Sequence, residues 1–157
     1  MKASRGFTLI ELLVVLLIIG ITTGIAVVSL TQNHRQLPYT VATGLAHELR
    51  LASLESLLRP ATLSLVLTHC GWQFQRFDET AKPRPLWRPL HAPALPDKCL
   101  PKGIYLRLKA PGHRIILAAG GDLSPFVILI YQKKSTQAAQ ITGHANGEIK
   151  VRTVHAP

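Results

Sequence analysis

The chain has 157 residues, with 18 Lys and Arg against 8 Asp and Glu and a formal charge of +10. That length leaves room for one long helix and one modest domain, and a hydrophobic content of 47% excludes a disordered basic tail. The cations are scattered, with no run longer than Lys133-Lys134, so a solvated basic surface accounts for them as well as a nucleic-acid or anionic-membrane patch would.

The first element is an apolar run from Phe7 to Leu30 whose single charge is Glu11. As a helix it is roughly 36 Å long, enough to cross a hydrocarbon core of about 30 Å. Lys2 and Arg5 precede it and the next charge after Glu11 is Arg35. This asymmetry predicts a cytoplasmic N-terminus, with everything after Arg35 on the far side. A secretory signal peptide would have a shorter apolar core, no acid within it and a small-residue cleavage site behind it. A plain single-pass anchor explains the length but gives no reason for Glu11, because an acid inside such a segment costs about 2.5–3.5 kcal/mol at a helix centre and less near an end. Gly20 and Gly24 form a small-xxx-small pair that would let another helix approach closely.

Gly6-Phe7-Thr8-Leu9-Ile10-Glu11-Leu12-Leu13 resembles the class III signal of type IV pilins and type II secretion pseudopilins. The resemblance implies cleavage by a prepilin peptidase between Gly6 and Phe7, methylation of the new Phe7 amine, and a Glu11 carboxylate that pairs with the amine of a neighbouring subunit. Pairing in low dielectric offsets desolvation only when the geometry is good, which suits a register device. Many family members carry a proline late in the apolar run, whereas none occurs here before Pro38.

Beyond the run, Pro38 is expected to bend or break the helix near the membrane surface. Val41, Leu45, Leu49 and Ala52 fall near one face, with Leu51, Leu54 and Leu58 widening the stripe and Glu48, Arg50 and Glu55 on other faces. Pro60 predicts a helix end at or near Arg59. The period then changes to two. Leu63, Leu65 and Leu67 predict one strand, Trp72 and Phe74 a second after a turn near Gly71, Ile104 to Lys109 a third and Arg114 to Ala118 a fourth. Phe126 to Tyr131 is nearly all apolar and predicts a strand buried on both faces. Gln140 to Thr142 and Glu148 to Val154 flank Asn146-Gly147, a hairpin signal. Residues 81–101 hold Pro83, Pro85, Pro89, Pro93, Pro96 and Pro101, and predict a loop or irregular edge anchored by Trp87. Cys70 and Cys99 are the only cysteines. On the exported side a bridge between them is expected, with two buried thiols as the alternative.

Within the pilin-like family, Gly71 to Phe77, Leu86 to Leu90, Gly121 to Phe126 and Asn146 to Val151 are similar, in this order, to the minor pseudopilin H class of type II secretion. That likeness implies an α+β fold: a long N-terminal transmembrane helix packed on a globular domain of two antiparallel sheets. It implies the divisions 1–6 (leader), 7–30 (membrane and assembly helix), 31–59 (periplasmic continuation) and 60–157 (β-rich domain). The implied partners are the minor pseudopilins of the I, J and K types, the major pseudopilin, the prepilin peptidase and the inner membrane. The implied place is at or near the tip of a periplasmic pseudopilus that supports export of folded proteins.

No catalytic residue, metal site or cofactor is expected. His34, His47, His69, His91, His113, His144 and His155 form no HExxH or similar arrangement, and no GxSxG or phosphate-cradling loop occurs. Asp122 alone is not a calcium site. Trp72 and Phe74 read most simply as core residues. The competing function is a minor type IV pilin that binds DNA during uptake, which the basic balance and Lys150 and Arg152 permit; nucleic acid is the disfavoured partner.

Overall fold

The computed structural model describes residues 9–133 and 135–156, with 23–36 as backbone only. The chain divides into two compact units, residues 1–36 and residues 37–157. One helix, α1 (Leu9–Leu58), supplies the described part of the first unit and opens the second. Pro38 lies inside α1. It therefore does not break the helix, the second of the two outcomes expected for it, although its ring nitrogen cannot donate to the carbonyl one turn back. Among the described residues no helix is long and apolar enough to cross a membrane; side chains of the apolar run are described only as far as Thr22. In that stretch Thr22 Oγ1 donates to the carbonyls of Ile18 (2.9 Å) and Ile19 (3.1 Å), so the hydroxyl is satisfied within its own helix.

The second unit places the end of α1 against two antiparallel sheets. The strands are β1 (Leu63–Leu67), β2 (Gly71–Asp78), β3 (Leu86–Pro89), β4 (Lys98–Cys99), β5 (Ile104–Lys109), β6 (Arg114–Leu117), β7 (Phe126–Gln132), β8 (Gln137–Gly143) and β9 (Ile149–His155). One sheet runs β3-β2-β1-β6, with β4 also on β2; the other runs β5-β7-β8-β9. The α1 face at Ala42, Leu45, Ala46, Leu49 and Ala52 is fully buried. Three alanines in that face keep the helix surface low, so the sheets approach closely and the large residues interdigitate. Leu63, Leu65, Phe74 and Ile115 meet it from the first sheet, and Phe126, Ile128, Ile130 and Ile141 from the second. Arg50 Nη2 donates to the Ile149 carbonyl at 2.7 Å, tying α1 to β9.

The helix ends at Leu58, one residue before the predicted stop. Three expectations need correction. Leu54 and Leu58 are exposed, at 55% and 79%, so they do not widen the buried stripe. Glu48 is 5% exposed and stands among the core residues of α1; helical position put it beside Leu45 and Leu49, and charge alone did not decide its face. β7 is buried on one face and half-buried on the other, because nothing described covers its second side. The proline-rich segment takes the second of its two expected forms, an irregular edge. It carries β3 and β4, both paired with β2, and Pro89 ends an edge strand, where a missing N–H costs no ladder bond.

Candidate functional site

Two places were singled out by the sequence. The first is the N-terminal motif. Gly6 and Phe7 lie outside the described residues. Glu11 stands near the start of described α1, exposed between Ile10 at 71% and Leu12 at 55% exposure. Among the described residues no cation pairs with it.

The second is the cysteine pair. Cys70 and Cys99 are joined by a disulfide with Cα atoms 4.7 Å apart. Cys99 lies on β4 and faces Gly71 across the ladder. A Cβ on Gly71 would stand 2.1 Å from the Lys98 carbonyl oxygen, so only glycine lets β4 lie this close to β2. The Leu100 amide then donates to the Cys70 carbonyl at 2.7 Å.

A third constellation was not legible in the sequence. Trp72 Nε1 donates to Glu48 Oε2 at 2.8 Å, and Lys98 Nζ donates to Glu48 Oε1. Helix, β2 and the proline-rich segment therefore meet at one buried carboxylate. Nearby contacts pin the same segment. Gln73 Nε2 donates to Asp97 Oδ2 at 2.9 Å. The Trp87 ring packs tilted against Phe77 with centroids 5.0 Å apart, and the Arg114 guanidinium lies 4.7 Å from the Trp87 centroid. The Thr80 hydroxyl and the Arg88 Nε, each 2.8 Å away, bond the Asp78 carboxylate. Chiefly the Thr80 bond, then Arg88, holds its pKa below the usual aspartate value. These are the bonds of a scaffold. The one sequence signal for Glu48 was its place between buried apolar helix positions; nothing pointed to Lys98.

No group of three or more His, Cys, Asp or Glu suited to a metal occurs among the described residues. Trp72 and Phe74 are 4% and 0% exposed, so neither forms an open aromatic platform.

A helix entering two antiparallel sheets, with a glutamate set in an apolar N-terminal run, defines a pilin-like protein. Residues 1–27 match the prokaryotic N-terminal methylation motif family. Over 151 residues the chain is 34% identical to the type II secretion system protein H of Pseudomonas aeruginosa strain PAO1, a match covering 95% of this chain and 80% of that protein. Two solved structures of the minor pseudopilin EpsH from the type II secretion system of Vibrio cholerae share the fold. Each superposes with a TM-score of 0.62, at 18% and 15% identity. They cover 74% and 75% of this chain and 96% and 97% of theirs. The chain belongs to the type II secretion system protein H family. Fold and family agree on the role of a minor pseudopilin, and the DNA-uptake alternative is not favoured.

Proposed function

We propose that this minor pseudopilin is made with a leader of residues 1–6, is cut between Gly6 and Phe7 by a prepilin peptidase and is methylated on Phe7. Residues 7–30 hold it in the bacterial inner membrane as a single pass. Residues 31–59 continue the helix into the periplasm, and residues 60–157 form the β-rich domain there. The subunit joins a periplasmic pseudopilus at or near its tip, with minor pseudopilins of the I, J and K types and the major pseudopilin. It acts as a structural part of the export machinery for folded proteins and performs no chemistry of its own.

The observation that carries this reading is Glu11: an exposed carboxylate on an apolar helix, inside a matched methylation motif, with no cation beside it among the described residues. Cleavage frees an amine at Phe7, four residues before Glu11, and the amine of a neighbouring subunit is the cation that Glu11 requires. The pair sits in low dielectric, where a lone charge is costly and good geometry is demanded. Glu11→Val should therefore leave membrane insertion intact and reduce incorporation into the pseudopilus, read by crosslinking to the other pseudopilins and by secretion. Normal secretion by that variant would remove the pairing argument. Mass spectrometry of the chain from its host should show a methylated Phe7 terminus; an intact Met1 terminus would overturn the whole assignment.

A further inference from the structure

The outer face of the second sheet has a charge pattern that the core does not explain. Cross-strand register places Arg107, Leu129, Gln140 and Arg152 in one row. The next row holds Lys109, Val127, Thr142 and Lys150. Opposed residues of antiparallel strands point to the same side, so the two edge strands carry all four cations. The two central strands carry a neutral floor. None of the four strands contains an acidic residue. Lys150 is paired with Glu148 at 2.9 Å, whereas Arg107, Lys109 and Arg152 have no acidic partner among the described residues. All four cations are exposed, and Val127 and Leu129 are half-buried.

Three strand spacings of about 4.8 Å separate the rails by roughly 14 Å. An α-helix with its side chains is about 10–12 Å across. A helix laid between the rails would set its apolar stripe on Val127 and Leu129 and its flanks against cations on both sides. We propose that this face docks an acidic amphipathic helix of another protein, with carboxylates along both edges of its apolar stripe. A second copy of this chain does not fit, because it is itself strongly basic, +10 before the leader's Lys2 and Arg5 are removed, and would repel. Nucleic acid fits less well. The floor of these two rows, Val127 and Leu129 beside Gln140 and Thr142, holds no aromatic ring, and the aromatic pair beyond it on this face, Tyr105 and Tyr131, turns its rings toward each other with centroids 5.7 Å apart, so no row of separate rings is offered to successive bases. The proposal stands apart from the pseudopilin reading, and its failure would leave that reading intact.

The test uses the full chain in a neutral detergent and a labelled synthetic helical peptide with a leucine stripe flanked by glutamates, followed by fluorescence anisotropy against a detergent blank. Binding should weaken about 5-fold or more in the double variant Arg107→Gln with Arg152→Gln, as the loss of two surface pairs implies. It should change less than 2-fold in Lys82→Gln, which lies off this face. Replacing the peptide's leucines by glutamine at constant charge should also weaken it. No binding, equal loss in the Lys82→Gln control, or tighter binding of a single-stranded oligonucleotide of the same charge would each overturn the proposal. Should the double variant misfold, amide shifts of the isotope-labelled wild-type chain decide. Peptide-induced shifts centred on the rows of Arg107 and Lys109 support docking, and shifts centred elsewhere refute it.

Discussion

Replacing Glu48 by leucine is the sharpest probe of how the domain holds its proline-rich segment. The carboxylate side chain is 7% exposed and Lys98 is 47% exposed. Once Glu48 is gone, the Lys98 ammonium can turn to water, so its share is that of a half-exposed pair, at most about 1 kcal/mol. Trp72 cannot turn away: at 4% exposure its indole N–H is left buried without an acceptor, at a cost of about 1–3 kcal/mol. The expected loss is about 2–3 kcal/mol, or roughly 6–12 °C in melting temperature for a domain of this size. Thermal unfolding of residues 37–157, followed by far-UV circular dichroism, measures it. A double-mutant cycle with Trp72→Phe isolates the bond. In the leucine background the tryptophan change removes an orphaned donor, so it should cost about 1–2 kcal/mol less than in the wild type. Strict additivity of the two changes, or a loss below about 0.5 kcal/mol for Glu48→Leu, would refute the view that the buried carboxylate joins helix to sheet.

Gly143→Ala should destabilise by about 1–3 kcal/mol, since its Cβ would stand 2.0 Å from the Phe126 ring and that ring is 2% exposed. Gly44→Ala, with nothing within 4 Å of its Cβ, should stabilise the helix by about 1 kcal/mol; chemical denaturation of both variants checks the contrast. Thiol labelling of the unfolded chain should occur only after reduction, and replacing Cys70 and Cys99 by serine should cost on the order of 3 kcal/mol in chain entropy for their separation of 29 residues. Equal labelling before and after reduction would rule the bridge out. Because the folded pKa of Asp78 is depressed, its contribution is complete above the unfolded aspartate pKa of about 3.9 and is lost as pH falls through the lower folded value. Asp78→Asn should therefore flatten the stability profile in the acid range, and a profile parallel to wild type would contradict the Thr80 and Arg88 bonds.

Local patterns were enough for most elements. Period-two alternation at Leu63–Leu67 and Ile104–Lys109, and the turn residues Asn146-Gly147 between β8 and β9, act over a few residues and need no partner to be read. Pro60 likewise closes α1 by a local steric clash. The N-terminal motif was the most legible part of the candidate site, because an acid in an apolar run is anomalous on any transfer scale. Burial was less legible. Leu54 and Leu58 look like core residues and face solvent, while Glu48 looks like a surface residue and is buried. Side-chain type states a preference, and the partner decides whether it is met: Glu48 goes inside only because Trp72 and Lys98 arrive there from β2 and β4.

By itself the sequence determined the class of protein, an acid-bearing apolar helix followed by a basic, alternating β-rich domain. Those features are encoded in the spacing of residues along one strand or helix, where the governing interactions are local. Only the tertiary structure decided between loop and edge for residues 81–101, where Leu86–Pro89 and Lys98–Cys99 pair with β2, and showed that Arg107 and Lys109 lie across the same face from Lys150 and Arg152. Those relations join residues tens of positions apart. They depend on strand order and register, which are set by the packing of whole elements into a shared core.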